Sequence, residues 1–121
     1  MNKLRWYTYD QSKVGGYFVG PARTIIVAAT SPVAADVAAE KVGAEFMSDA
    51  LSCCGRRWSR MAEHVWEVAD VPSYGGRPVT VTPDAALTIP SDTEQLSDAH
   101  RGLAILVAAD GTVSYGPMKA A

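Results

Sequence analysis

Long hydrophobic runs are missing from these 121 residues. None approaches the ~18 consecutive apolar residues of a membrane-spanning helix. The polar opening MNKLRWYTYD is unlike a secretory leader, so a cytoplasmic location with no membrane partner is expected. A dominant charge sign is missing too. The formal net charge of −2 and sequence pI near 5.6 argue against a surface that coats duplex nucleic acid through many phosphate contacts. Cysteine is scarce: Cys53 and Cys54 are the whole complement and are adjacent. A bridge between neighbours is strained and closes no loop, which leaves two reduced thiols. Large apolar side chains are also few, because nineteen of the residues behind the 48% apolar fraction are alanine. The length fits a single domain over residues 1–121, with a core thin in bulky groups.

Signature motifs are absent as well. The chain has no P-loop, dinucleotide fingerprint, G-x-S-x-G or H-E-x-x-H. Cys53, Cys54, His64 and His100 are metal-ligand types, but structural zinc sites space their cysteines about two to four residues apart, and adjacent thiolates chelate one ion badly. A nucleophile can be assembled on paper from Cys54, with His64 as base, Glu63 or Asp49 as acid, and Arg56 lowering the thiol pKa. Many sequences permit as much. Asp36 and Glu40 stand one turn apart on the face of a helix expected to be solvated, so they form no acid–base pair. No catalytic residue, metal or cofactor is assigned.

What is present is a strong strand-to-helix signal. Thr24, Ile25, Ile26 and Val27 form a β-branched run bounded by Gly20-Pro21 and Thr30-Ser31-Pro32, as expected of a strand buried on both faces. Ser31 suits an N-cap, and Pro32 suits the first helical position, where its missing N–H is harmless. Ala35, Ala38, Ala39 and Val42 fall on one apolar stripe, with Asp36, Glu40 and Lys41 opposite. Lys41 and Gly43 end the helix, a cation in the last turn and a glycine able to turn left-handed.

Around that unit, Leu4 to Tyr9 alternates as a half-buried strand, and Gly15-Gly16 leads into Tyr17-Phe18-Val19 as a first hairpin. Further strands are expected at His64 to Ala69, Arg77 to Thr82 and, at an edge, Leu87-Thr88-Ile89. Ser91 and Glu94 form a capping box opening a short surface helix that Gly102 ends. Leu103 to Ala108, Asp110-Gly111 and Val113 to Tyr115 read as a hairpin, with a surface tail from Gly116. The expected fold is α+β. It has a mostly antiparallel sheet of about five or six strands, one main helix over about 32–42 packed on it, and a second helix over about 92–101. Uncovered strand edges allow a homo-oligomer.

One segment concentrates recognition chemistry: Cys53-Cys54-Gly55-Arg56-Arg57-Trp58-Ser59-Arg60. Guanidinium pairs bidentately with phosphate and indole offers a π face. Arg56, Arg57, Trp58 and Arg60 are therefore candidates to clamp a small anionic nucleotide. The competing reading makes Trp58 a core anchor, with the arginines paired at the rim to Asp49 or Glu63. Tyr74 and Arg77, beside Gly75-Gly76, are a second candidate of the same kind.

The opening Trp6-Tyr7-Thr8-Tyr9-Asp10-Gln11, then Gly15-Gly16-Tyr17-Phe18, then Cys53-Cys54-Gly55-Arg56-Arg57-Trp58, resembles a group of small accessory proteins of tailed bacteriophages with no assigned activity. The likeness covers roughly Leu4 to Gly76. The group's opening, W-Y-T-Y-x-Q-N-N-S-G-G, is departed from at Ser12, Lys13 and Val14. In the later motif, C-x-C-C-G-x-R-W, Leu51 replaces the first cysteine, which removes support for a metal site built on a third thiol. The resemblance implies a phage-encoded protein acting in the host cytoplasm by binding rather than catalysis. Its target would be a nucleotide immune signal, sequestered by the arginine–tryptophan segment across an oligomer interface. Alternatively it would be a host protein, inhibited through exposed aromatics such as Tyr7, Tyr9 and Tyr74.

Overall fold

A computed structural model describes residues 3–13, 16–46 and 57–121. Its strands, in chain order, are β1 (Arg5–Asp10), β2 (Phe18–Val19), β3 (Thr24–Ala29), β4 (Val68–Ala69), β5 (Ser73–Tyr74), β6 (Arg77–Val81), β7 (Gln95–Leu96), β8 (Leu103–Val107) and β9 (Val113–Ala120), with one α-helix, α1 (Pro32–Lys41). Seven strands form one sheet in the order β4-β1-β3-β8-β9-β6-β5, and β2 pairs with β7 outside it. None of the described helices is long and apolar enough to cross a membrane.

Every residue of β3 is buried. It lies antiparallel to β1, with Tyr9 opposite Ile25, and parallel to β8, with Ile25 opposite Ile105. On one face Tyr7, Tyr9, Ile25, Val27 and Ile105 pack under Ala35 and Ala39 of α1, joined by Phe46, Trp58 and Met61. Ile26 and Thr8, of opposite side-chain parity and also buried, line the other face. The sheet curls until both of its edges reach β1. On one side Thr8 N–H donates to Glu67 O beside β4, and on the other Thr8 Oγ1 donates to Ser73 O of β5 at 2.6 Å. The result is a nearly closed, barrel-like sheet.

α1 begins as its sequence dictates. Ser31 Oγ accepts from Ala34 N–H at 3.1 Å, Pro32 opens the helix, and Gly43 follows it at φ +117°. Asp36 departs from the expected solvated face. It stands three residues before Ala39 and so borders the buried stripe, where it is only 6% exposed.

The α+β expectation is overturned: the molecule is mostly β, with nine strands and one α-helix among the described residues. The second helix over 92–101 does not form. Its two apolar positions gave a helix little to bury, and Gln95–Leu96 instead pairs with Phe18–Val19. Only a 3-10 turn at Asp98–His100 remains, capped by Ser97 rather than by Ser91. The first hairpin is also replaced, because β1 pairs with β3 and β4. The Gln11 side chain holds the incoming strand, accepting from Val19 N–H and donating to Val19 O and Ala22 O. Of His64 to Ala69 only Val68–Ala69 is strand, and Leu87 to Ile89 is not strand at all. The tail from Gly116 continues β9 to Ala120, paired with β6 and β8. That pairing needs a glycine, since a Cβ on Gly116 would stand 1.8 Å from Thr82 O.

Candidate functional site

The curled sheet opens at one end, where β1 finishes and β3 and β8 begin. Asp10 is the last residue of β1 and stands opposite Thr24, the first of β3. Arg23 precedes β3, Arg101 and Gly102 precede β8, and Tyr74 ends β5. These residues, with Phe18 and Met118, surround a cavity of about 320 Å³. That is within the range for small-molecule sites, and barrel mouths are a favoured place for them.

The mouth carries charge of both signs. Asp10 accepts from Thr24 Oγ1 at 3.1 Å and from Tyr74 Oη at 3.3 Å. Burial pushes the Asp10 carboxyl above its ordinary range, opposed by those two hydrogen bonds and by the Arg23 charge. Burial likewise raises the Tyr74 phenol, and Asp10 adds to the effect. Two cations, Arg23 and Arg101, line the same cavity. The Arg23 guanidinium lies 4.0 Å from the centre of the Phe18 ring, and Arg101 is exposed. Neither has a carboxylate at ion-pair distance among the described residues. Two guanidinium groups, aromatic walls and one acceptor suit an anion that carries a flat, hydrogen-bonding ring.

The residues singled out from sequence are scattered by the fold. Trp58 is 2% exposed and belongs to the core. Arg57 is 7% exposed, donates to Tyr17 O at 2.7 Å and to Gln11 Oε1 at 3.3 Å, and stacks on the Tyr17 ring. A second cavity of about 310 Å³ does touch both residues, but Glu45 and Asp92 line it too, a charge balance that disfavours an anion. Arg60 lies over the Phe46 ring, 5.3 Å from its centre. Arg77 is exposed on β6, and it does not line the mouth. Arg56, Cys53, Cys54 and Asp49 lie outside the described residues.

Among the described residues, Tyr74 is the one sequence candidate that lines the mouth. Its neighbours Gly75 and Gly76 donate their N–H groups to the Glu67 carboxylate at 3.2 and 3.1 Å, so an internal acid already fills that turn. His100 Nδ1 accepts from Ser97 N–H, and His64 is exposed. Tyr7 and Tyr9, expected on an exposed aromatic patch, are core residues.

Asp10, Phe18, Arg23 and Arg101 escaped sequence reasoning. Phe18 reads as part of a hairpin strand, and Arg101 as the end of the expected second helix. The one available signal is that Asp10, Arg23 and Arg101 each stand at or beside the end of a strand, but only strand order places those ends together.

A family model for a domain of unknown function (DUF7296) matches residues 4–119. No curated protein and no solved structure matches the chain.

Proposed function

We propose that this chain, which belongs to the DUF7296 family, is a non-catalytic binding module that holds a small anionic nucleotide in the mouth of its curled sheet. The observation that carries the reading is the convergence of Arg23 and Arg101, neither with a carboxylate at ion-pair distance among the described residues, on a cavity walled by Phe18 and Tyr74. Phosphate pairs with the guanidinium groups, the ring lies against the aromatic side chains, and Asp10 accepts from a donor on the ring edge. Both lining hydroxyls, Thr24 and Tyr74, already donate to Asp10, an arrangement that orients a carboxylate rather than primes a nucleophile. On the resemblance to phage accessory proteins, the ligand is a host signal and binding is sequestration.

Titration calorimetry at low salt, with adenine and guanine nucleotides, tests this. Arg101→Ala should weaken binding by about tenfold or more, the worth of a charge-assisted hydrogen bond. Ligand recovered after denaturation should be chemically unchanged. Unaltered affinity in Arg23→Ala and Arg101→Ala would reject the site, and a converted ligand would reject the non-catalytic assignment.

A second reading, docking on a host protein, draws on one observation. Trp66 is 39% exposed beside the edge strand β4, where Val65, Val68 and Ala69 line an open groove. Trp66→Ala should then abolish partner capture without affecting nucleotide binding.

A further inference from the structure

The mouth does not end at Arg23 and Arg101. A smaller cavity of about 160 Å³ adjoins it and shares Phe18, Arg23 and Arg101 as a common wall. Lys13, Ser97 and Asp98 line its far side. The two lobes differ in chemistry. The larger adds Asp10, Gln11, Thr24, Tyr74, Leu103 and Met118, a mixed surround in which Asp10 is the one carboxylate. The smaller is mostly polar and holds three cations, Lys13, Arg23 and Arg101, against the single acid Asp98. Lys13 Nζ lies 5.8 Å from the Phe18 ring centre, and the Arg23 guanidinium is 4.0 Å from the same centre. Phe18 thus gathers two of the three charges.

Resting on the binding reading above, we infer that the ligand is a nucleoside polyphosphate. Its base occupies the larger lobe, and its phosphate chain crosses the Arg23–Arg101 wall toward Lys13 in the smaller one. A monophosphate satisfies the shared arginines and leaves Lys13 without a partner from the ligand. Each further phosphate extends into a lobe whose cations outnumber its acid, and Lys13 acts there as a point charge while the guanidinium groups pair in a plane. Ser97 Oγ supplies a neutral hydroxyl on the same side.

The experiment is a calorimetric ladder of adenosine, AMP, ADP and ATP, with guanosine analogues in parallel and tripolyphosphate as a base-free probe. Affinity should rise about tenfold from AMP to ADP, the scale of one charged hydrogen bond, and again to ATP. Lys13→Ala should lower ATP affinity about tenfold and leave AMP unchanged, whereas Arg101→Ala should lower both. Lys13 is exposed, so its removal leaves the fold intact, and an unchanged thermal midpoint will confirm this. Equal affinity for AMP and ATP, with Lys13→Ala silent, overturns the polyphosphate assignment while the nucleotide site stands. No binding of any nucleotide or of tripolyphosphate overturns both.

Discussion

Tyr9, Asp36 and the turn at Met61 form a buried polar knot. Tyr9 Oη donates to Asp36 Oδ1 at 2.6 Å, and the same carboxylate accepts from Met61 N–H at 2.8 Å and Ala62 N–H at 3.0 Å. Burial, then the bond to Asp36, raises the Tyr9 phenol far above its usual range, so it stays a neutral donor. Asp36→Ala strands three donors and should destabilise the fold by about 3 kcal/mol or more, whereas Tyr9→Phe loses one bond and should cost about 1–2 kcal/mol. Urea titrations of both variants measure the difference.

Asp10 poses the opposite case. Its raised pKa means that the folded state holds the proton more tightly than the unfolded chain. Its contribution to stability is therefore full below the ordinary carboxyl value of 3.8 and is lost as pH rises through the raised value. Arg23 opposes the shift and Glu67 reinforces it. Ionised Asp10 also repels an anion in the mouth. Asp10→Asn should bind tripolyphosphate several-fold more tightly at pH 7, an advantage that fades as acid neutralises Asp10 in the native protein. Calorimetry across that pH interval will show whether the two curves converge.

At the scale of elements, close packing between β6 and β9 hangs on a missing side chain. Gly116→Ala puts a Cβ 1.8 Å from the Thr82 carbonyl and 3.2 Å from Asp84 N, both backbone atoms that cannot swing aside. The expected result is loss of about 3 kcal/mol or more, in the range of core overpacking and strain. Gly76→Ala, at φ +81° but in open space, should cost only about 1–2 kcal/mol of left-handed strain. Thermal melts of the pair separate crowding from backbone strain. The two-residue ribbon β2–β7 stands apart from the main sheet. Its amides should exchange with solvent well before those of fully buried β3, a contrast that hydrogen-exchange NMR resolves directly.

For the whole molecule, closure of the sheet passes through Thr8, which contacts both edges: Glu67 O through its backbone and Ser73 O through its hydroxyl. Thr8→Val keeps the shape but leaves a carbonyl of the buried Ser73 without that donor. The expected penalty is about 1–3 kcal/mol, with faster exchange in β5 and weaker nucleotide binding, because Tyr74 follows Ser73 into the mouth. Trp58→Ala acts differently. It empties the core on the helix side and should cost about 3–5 kcal/mol. At temperatures where the variant remains folded, its affinity for the mouth ligand should be unchanged. A loss of affinity at temperatures where the variant is still folded would return the arginine–tryptophan segment to the binding site.

Local chemistry by itself determined the parts that depend on near neighbours. Ser31-Pro32 starts a helix wherever it folds, and Thr24 to Val27 carries enough β-branched bulk to be a central strand. Asp110-Gly111 turns the chain between two apolar runs. The apolar stripe of α1 was legible for the same reason, apart from Asp36, whose border position lets tertiary packing decide its side. What the sequence could not disclose were the partners of short segments. Phe18–Val19 and Gln95–Leu96 carry too little periodicity to declare each other, and they pair as a ribbon separate from the large sheet. The candidate site belongs to this second class. Asp10, Arg23, Tyr74 and Arg101 come from strand ends far apart in the chain, and only strand order and curvature gather them around one cavity. Trp58 and Arg57, dense with recognition chemistry in one dimension, went inward because a thin, alanine-rich core needs a large ring to fill it and an anchored guanidinium to hold the loop beside it.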